Sequence, residues 1–477
     1  MSFVKQSITQ DREELARKVY FVGIGGIGMA NLARYYLSKG ASVAGYDRTP
    51  SALTDALVAE GASVVFDDDP GLIPEPMRSP EDTLVVYTPA VPDSNAILSY
   101  FRNGGFEVIK RAALLGRITR HSDAICVAGS HGKTTTSSMI AHILHTSSVG
   151  CNAFLGGILR NYNSNLLLSA TSPYSVIEAD EYDRSFHHLH PYIAIVTSTD
   201  PDHLDIYGDE AGYLEGFAHF TSLIRPGGYL LKHTGLKLHE RVGDDVKVLT
   251  YSGAGDTSGD CHAENITLSD GRLYFDYVEP GRRIDRLELG VPVMINVDNA
   301  VAAIAASLLA GADEASIREA LASFMGPARR FQIWLRPEPG AEGPVLIDDY
   351  GHSPNEVKSS ILSVKQLWPE RRLTVIFQPH LYTRTRDFAP EFAEALSLAD
   401  EVLLCEIYPA RELPIEGVSS ELIYRDMKNC KKSLVERKDL LNIIKNSNFD
   451  ILMTLGAADL DRLLPEIKHI LTADANG

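Results

Sequence analysis

The run Ala124-Ile125-Cys126-Val127-Ala128 leads directly into Gly129-Ser130-His131-Gly132-Lys133-Thr134-Thr135-Thr136, and a helical pattern through Met139 to Leu144 follows. An apolar strand, a glycine turn bearing a lysine and a hydroxyl-rich helix start point to an α/β sheet with this loop at a strand's carboxyl end. Glycines let backbone N–H groups approach phosphate oxygens, the helix N-terminus adds its dipole, Lys133 brings charge and a threonine hydroxyl can hold magnesium. Gly129 lies only three residues before Gly132, so the loop is a compact variant of the GxxxxGK[ST] spacing. The plainer alternative is a structural glycine turn, and the strand and helix around it weigh against that.

Alternation of apolar strand runs and helical patterns extends through the chain. Residues 1–115 read as a small parallel-sheet unit, residues 116–326 as a central unit and residues 327–477 as a third, each α/β. Predicted strands are Val19–Val22, Ala41–Asp47, Ser63–Phe66, Thr83–Tyr87 and Phe106–Ile109 in the first unit. The central unit has Ala124–Ala128, Tyr174–Ile177, Ile193–Thr197 and Tyr229–Lys232, with hairpins over 246–289 and a helix over Asn296–Leu309. A breaker stretch at Met325–Arg329 opens the third unit, with strands Val345–Asp348, Leu373–Phe377, Glu401–Leu404 and Ile451–Thr454.

The first unit carries Gly23-Ile24-Gly25-Gly26-Ile27-Gly28, a GxGxxG turn, with Asp47 closing the next strand. That pattern fits a dinucleotide, but the same geometry holds any pyrophosphate at a helix N-terminus, a UDP-sugar included. In the central unit, Glu178-Ala179-Asp180-Glu181-Tyr182-Asp183 and Thr197 to Asp205, with Asp202 and His203, place carboxylates and an imidazole at strand ends where magnesium can be bound. A solvated acidic face is the alternative for such runs. The third unit offers Asp348 to Pro354 and Phe377 to Arg386, where the basic pair Arg384 and Arg386 suits an anion.

Bulk properties narrow the partners. A formal charge of -18 argues against nucleic acid, whose backbone needs a basic face. Five scattered cysteines form neither a zinc nor a disulfide framework, which suits a reducing cytoplasm. No apolar run reaches the ~20 residues that would cross a membrane.

Taken in order, GIGGIGM, AGSHGKTTT, EADEYD, DPDHLDIY, INVDNA, PARRFQ, IDDYGHSPNE and FQPHLYTRTRDF resemble the Mur ligase family over nearly the whole chain. The resemblance implies a Rossmann-like N-terminal domain for a UDP-sugar, a central P-loop ATPase-type domain and a Rossmann-like C-terminal domain for the amino acid. It implies that ATP phosphorylates the lactyl carboxylate of UDP-N-acetylmuramate and that L-alanine attacks the acyl phosphate, a step in peptidoglycan precursor synthesis. By resemblance, Gly129 to Thr135 bind ATP, Lys133 meets the γ-phosphate, and Thr134, Glu178 and His203 bind Mg2+. Asn296 and Asn299 match a pair that holds adenine, Asp349 an acid near the ribose, and Arg330 or its neighbour Arg329 an arginine that reaches ATP. Gly25, Gly26, Ile27 and Gly28 would cradle the UDP pyrophosphate with Asp47, Thr88 and Arg111 nearby, while His352, His380 and Arg384 would face the amino acid. The expected state is a monomer or weak homodimer.

Two departures modify the transfer. Some relatives use a carbamylated lysine after the DHxD segment, but no lysine lies between His203 and Lys232, so none is expected here. Several carry Arg where this chain has Leu381, which shifts weight to Arg384. The rival readings are a recycling ligase that joins a tripeptide to the same sugar, an NAD-dependent dehydrogenase resting on GxGxxG and Asp47, and a non-catalytic nucleotide switch.

Overall fold

A computed structural model describes residues 16–473, except residues 202, 270, 338–340 and 411. The first strand, Lys18–Val22, is apolar on both faces because helices cover both sides of its sheet. That sheet is wholly parallel, in the order Ser63–Val65, Ser42–Tyr46, Lys18–Val22, Thr83–Tyr87, Glu107–Lys110. Chain order reverses beside Lys18–Val22, so the glycine turn after Val22 sits at the switch point, where open α/β sheets bind ligands.

The central sheet runs Lys247–Tyr251, Tyr229–His233, Ile193–Val196, Asp123–Ala128, Tyr174–Glu178, Asn152–Leu159, Ser164–Leu167. Asp123–Ala128 lies between Ile193–Val196 and Tyr174–Glu178, all parallel. The loops that follow these three strands therefore emerge side by side. Behind them the helix Lys133–Thr146 packs on the alanine-rich, almost fully buried helix Ile295–Ala310, whose small side chains permit close approach. The third sheet runs Gln332–Leu335, Val345–Asp349, Ile451–Leu455, Leu373–Phe377, Glu401–Cys405, Lys431–Val435, with only the first strand antiparallel.

Several expectations need correction. The stretch 246–289 is not all hairpin: Lys247–Tyr251 extends the central sheet in parallel, and the antiparallel ribbon comprises His262–Ser269, Arg272–Glu279 and Arg282–Leu289. The hairpin Asn152–Leu159 with Ser164–Leu167 has no counterpart in the sequence reading, because Gly156 and Gly157 interrupt its apolar pattern. The edge strand Lys431–Val435, KKSLV, was obscured by the charges that protect sheet edges.

The units touch at defined places. Tyr35 meets Phe154 edge-on at 5.4 Å, and Lys39 Nζ donates to the Ser169 carbonyl at 3.0 Å. Arg336 donates to the carbonyl of Gly271 at 3.2 Å beside the Trp368 ring, seating the third unit on the central ribbon. Among the described residues no helix is long and apolar enough to cross a membrane.

Candidate active site

The loop after Ala128 is built by backbone conformations that need glycine. Gly129 has φ +143° and Gly132 φ +79°; a Cβ on Gly129 would lie 2.0 Å from Thr197 Oγ1, and one on Gly132 would lie 2.7 Å from Asn299 Oδ1. The neighbouring strand's loop braces it: Ser198 Oγ accepts from the His131 amide at 2.7 Å, and Thr197 Oγ1 donates to the His131 carbonyl at 2.5 Å. Ser130 Oγ donates to the Asp200 carbonyl at 2.5 Å and lies 2.9 Å from the Tyr213 hydroxyl. Thr135 lies in the first turn of the helix from Lys133, which no side chain caps, so its N-terminal donors stay available to an anion.

Four sequence-predicted groups, Lys133, Thr134, Glu178 and His203, converge here. Lys133 Nζ donates to the Gly129 carbonyl at 2.6 Å and to Glu181 Oε1 at 2.8 Å. Thr134 Oγ1 donates to Glu178 Oε1 at 2.9 Å, and the Gly156 amide donates to Glu178 Oε2 at 2.9 Å. Burial pushes the Glu178 carboxyl upward. His203, at φ +51°, brings Nε2 to 4.0 Å from Glu181 Oε1. Asp202 lies outside the described residues. The sequence presents Glu181 as one acid of a run, whereas its side chain is 2 % exposed and holds Lys133. Only the fold could reveal that, because the turn after Glu178 decides which carboxylate faces inward.

The donor set suits a triphosphate with magnesium. Thr134 and Glu178 are hard oxygen ligands beside a lysine, in a cradle that a Cβ would fill. Among the described residues no group of three or more His, Cys, Asp or Glu forms a metal cage. That is compatible with magnesium, which is usually held by one or two carboxylates plus substrate phosphates. Asn296 and Asn299 form a buried chain beneath the loop: Thr136 Oγ1 donates to Asn299 Oδ1 at 3.0 Å, and Asn299 Nδ2 donates to Asn296 Oδ1 at 3.0 Å.

The first unit contributes a cleft of about 560 Å³ lined by Gly23, Gly26, Ile27, Gly28, Asp47 and Thr88. Asp47 Oδ2 accepts the Gly25 amide at 2.8 Å, closing the turn. The helix Ile27–Ser38 starts at Gly26 with no side-chain cap. A second cleft, about 390 Å³, lies between the first and central units and is bounded by Gly28, Arg111, Gly156, Glu178 and Asp180. Arg111 lines both clefts and forms no ion pair among the described residues. The two clefts share Ile27, Gly28 and Arg111, and the second reaches Glu178, which Thr134 of the lysine loop contacts.

The third unit gathers His352, His380 and Arg384. Arg384 Nη1 lies 3.4 Å from His380 Nδ1, and the His380 ring stacks over Tyr408 at 5.9 Å. Burial, reinforced by Arg384, pushes both imidazoles below their usual range, although Glu356 opposes this at His352 and Glu412 at His380. Arg386 is exposed and pairs with Asp387 at 2.7 Å, which leaves Arg384 as the inward basic group. Leu381 holds φ +75° at the entry to the helix Tyr382–Leu396. Asp349 accepts the Phe331 and Gly351 amides, each at 2.7 Å, so its carboxylate fastens the linker between units. Arg329 is bound to that unit through the Gly456 carbonyl at 2.5 Å, whereas Arg330 is exposed.

The chain is similar to known proteins over nearly its whole length. Family profiles described as Mur ligase family, catalytic domain, Mur ligase middle domain, and Mur ligase, glutamate ligase domain match residues 18–123, 127–307 and 329–457. A UDP-N-acetylmuramate--L-alanine ligase of Parabacteroides distasonis is 54 % identical, covering 95 % of this chain and 97 % of its own. One from Phocaeicola vulgatus is 51 % identical, covering 95 % and 98 %. The crystal structure of a UDP-N-acetylmuramate-alanine ligase from Thermotoga maritima superposes with a TM-score of 0.72 at 28 % identity, covering 96 % of this chain and 99 % of that one.

Proposed function

The chain belongs to the Mur ligase family, and on that premise we propose that it joins L-alanine to the lactyl carboxylate of UDP-N-acetylmuramate with consumption of ATP. The observation that carries this reading is the cleft that runs from Gly28 and Arg111 to Glu178, beside the Lys133 loop. It lets a pyrophosphate held at one helix N-terminus present its attached sugar acid to a phosphate held at another.

Carboxylate and amine do not condense without a leaving group. A carboxylate oxygen attacks the γ-phosphorus of ATP, the bond to ADP breaks, and an acyl phosphate results. The amine of alanine then attacks the carbonyl carbon and loses a proton, and the bond to phosphate breaks, leaving amide and phosphate. Phosphoryl transfer is chiefly positioning and charge stabilisation. Lys133 supplies fixed charge to the transferring group, and Gly129 to Thr135 seat the phosphates. Thr134, Glu178 and His203 would hold magnesium, which when bound neutralises developing phosphate charge. We assign Arg330, rather than Arg329, to ATP, because Arg329 is already committed to its own unit. Asn296, Asn299 and Asp349 would serve the nucleoside, with the asparagine pair also propping Gly132 from behind.

In the same reading residues 1–115 hold the UDP-sugar, 116–326 the ATP and 327–477 the amino acid. Gly25, Gly26, Ile27, Gly28, Asp47, Thr88 and Arg111 belong to the sugar nucleotide. His352 and His380, pushed below the usual imidazole range by burial and by Arg384, suit an amino acid whose carboxylate pairs with the guanidinium. We place the reaction in the cytoplasm, in peptidoglycan precursor synthesis, by a monomer or weak homodimer. The dehydrogenase reading leaves the Lys133 loop and the third unit without a task.

Phosphate release from ATP, measured with UDP-N-acetylmuramate and each of a panel of amino acids, tests this. Release should require both co-substrates and be strongest with alanine. Preference for a ready-made tripeptide would favour the recycling reaction, and release independent of both would sink the proposal.

A further inference from the structure

We infer that Glu181 is a positioning residue for phosphoryl transfer: its buried carboxylate fixes Lys133 so that the lysine presents its remaining N–H to the transferring phosphate. The inference rests on the ligase reading above and adds a residue to it.

An ammonium has three donors. In Lys133 one goes to the Gly129 carbonyl at 2.6 Å and one to Glu181 Oε1 at 2.8 Å. The lysine is thus tethered at both the loop and the adjoining strand end, and one N–H remains for a ligand. A flexible four-carbon stem would otherwise sample many rotamers, and catalytic charge contributes most when it need not reorganise.

The backbone that carries this carboxylate is held firmly: the Glu181 carbonyl accepts the Tyr207 hydroxyl at 2.6 Å and the Arg184 amide at 3.0 Å. The turn behind it places Asp183 at φ +51° and Arg184 at φ +54°, a left-handed pair that non-glycine residues adopt only under constraint. The second oxygen, Oε2, is buried without a hydrogen-bond partner. A buried charge with an unsatisfied oxygen is a poor choice for stability alone. Its cost is intelligible if the group holds the lysine in one place.

The test compares E181Q, which keeps the shape and an acceptor but removes the charge, with E181A, K133M and the E181Q/K133M double variant. Turnover, KM for each substrate, affinity for a fluorescent ATP analogue and apparent Tm are measured on the full chain. E181Q should lower kcat roughly tenfold or more. Its Tm and its KM for sugar nucleotide and alanine should stay at wild-type values, and its ATP affinity should be equal or tighter because a like charge near the phosphates is gone. E181A should lose more, and E181Q should add less than twofold to the defect of K133M. Wild-type kcat in E181Q, a defect confined to ATP affinity, or an undiminished effect in the K133M background would overturn the inference. If E181A fails to fold, E181Q alone decides. A wild type that forms no amide would instead count against the ligase reading.

Discussion

Ala328 and Arg329 are consecutive residues tied to different units: the Ala328 amide donates to the Ile158 carbonyl of the central sheet at 2.8 Å, whereas Arg329 donates to the Gly456 carbonyl of the third at 2.5 Å. Arg329 Nε also stands 3.6 Å from Asp348 Oδ2, and its backbone holds φ +60°. The junction is therefore one peptide long, and Arg330 travels with the third unit. R330A should leave Tm unchanged and lower kcat/KM for ATP tenfold or more. R329A strips the counter-charge from Asp348, which is 1 % exposed, and should lower stability by ~1–3 kcal/mol, read as a drop in Tm.

Gly129 and Gly40 both have positive φ, but their surroundings differ. A Cβ on Gly129 meets Thr197 Oγ1 at 2.0 Å, whereas one on Gly40 meets nothing within 4 Å. G40A should cost about 1 kcal/mol from backbone strain alone and leave ATP affinity intact. G129A should weaken ATP binding more than tenfold, measured by titration of a fluorescent analogue. Equal affinities in the two variants would contradict the assignment of this loop to phosphate.

Arg111 borders both clefts, and its Nη1 lies 2.8 Å from where a Gly28 Cβ would stand. R111A should raise KM for the sugar nucleotide about tenfold, as loss of a charge-assisted contact to an anion does. KM for ATP should not change. A rise for ATP alone would place Arg111 elsewhere in the chemistry.

His142 is 5 % exposed, with Nδ1 2.7 Å from the Tyr162 hydroxyl and Nε2 3.1 Å from Ser323 Oγ. Burial depresses its pKa from the ordinary 6.5 to about 4. The unfolded chain therefore takes up a proton below about pH 6.5 that the folded chain refuses until about pH 4. Stability from this group is complete above pH 6.5 and is lost as pH falls through that window, by up to ~3 kcal/mol. Apparent Tm measured from pH 7.5 to 4.5 should fall less steeply in H142N than in wild type; parallel slopes would refute the assignment.

The fold was legible because the runs that build the three sheets are long, apolar and punctuated by glycine. The loop Gly129–Thr136 was legible as a candidate for holding phosphate because its glycines fall where the backbone turns through positive φ, at Gly129 and Gly132. The strands that escaped reading are those whose pattern is broken for a local reason, such as Gly156-Gly157 within Asn152–Leu159 or the charged edge Lys431–Val435. Glu181 escaped for a different reason. In EADEYD every acid looks alike until the left-handed turn at Asp183 and Arg184 directs one of them onto Lys133.

The sequence by itself determined the order of units, the two glycine turns, the lysine and the family to which the chain belongs, since these depend on local backbone geometry and on residues close together in the chain. Tertiary structure decided which groups meet. Strand order in the central sheet brings together loops that lie 44 to 48 residues apart in the chain, so that Glu178 reaches Thr134 and Glu181 reaches Lys133. Docking of the first unit sets Arg111 at the mouth of that site, and a single peptide after Ala328 divides Arg329, which anchors, from Arg330, which is exposed. Such contacts depend on long-range packing between apolar faces, and residue spacing carries no record of them.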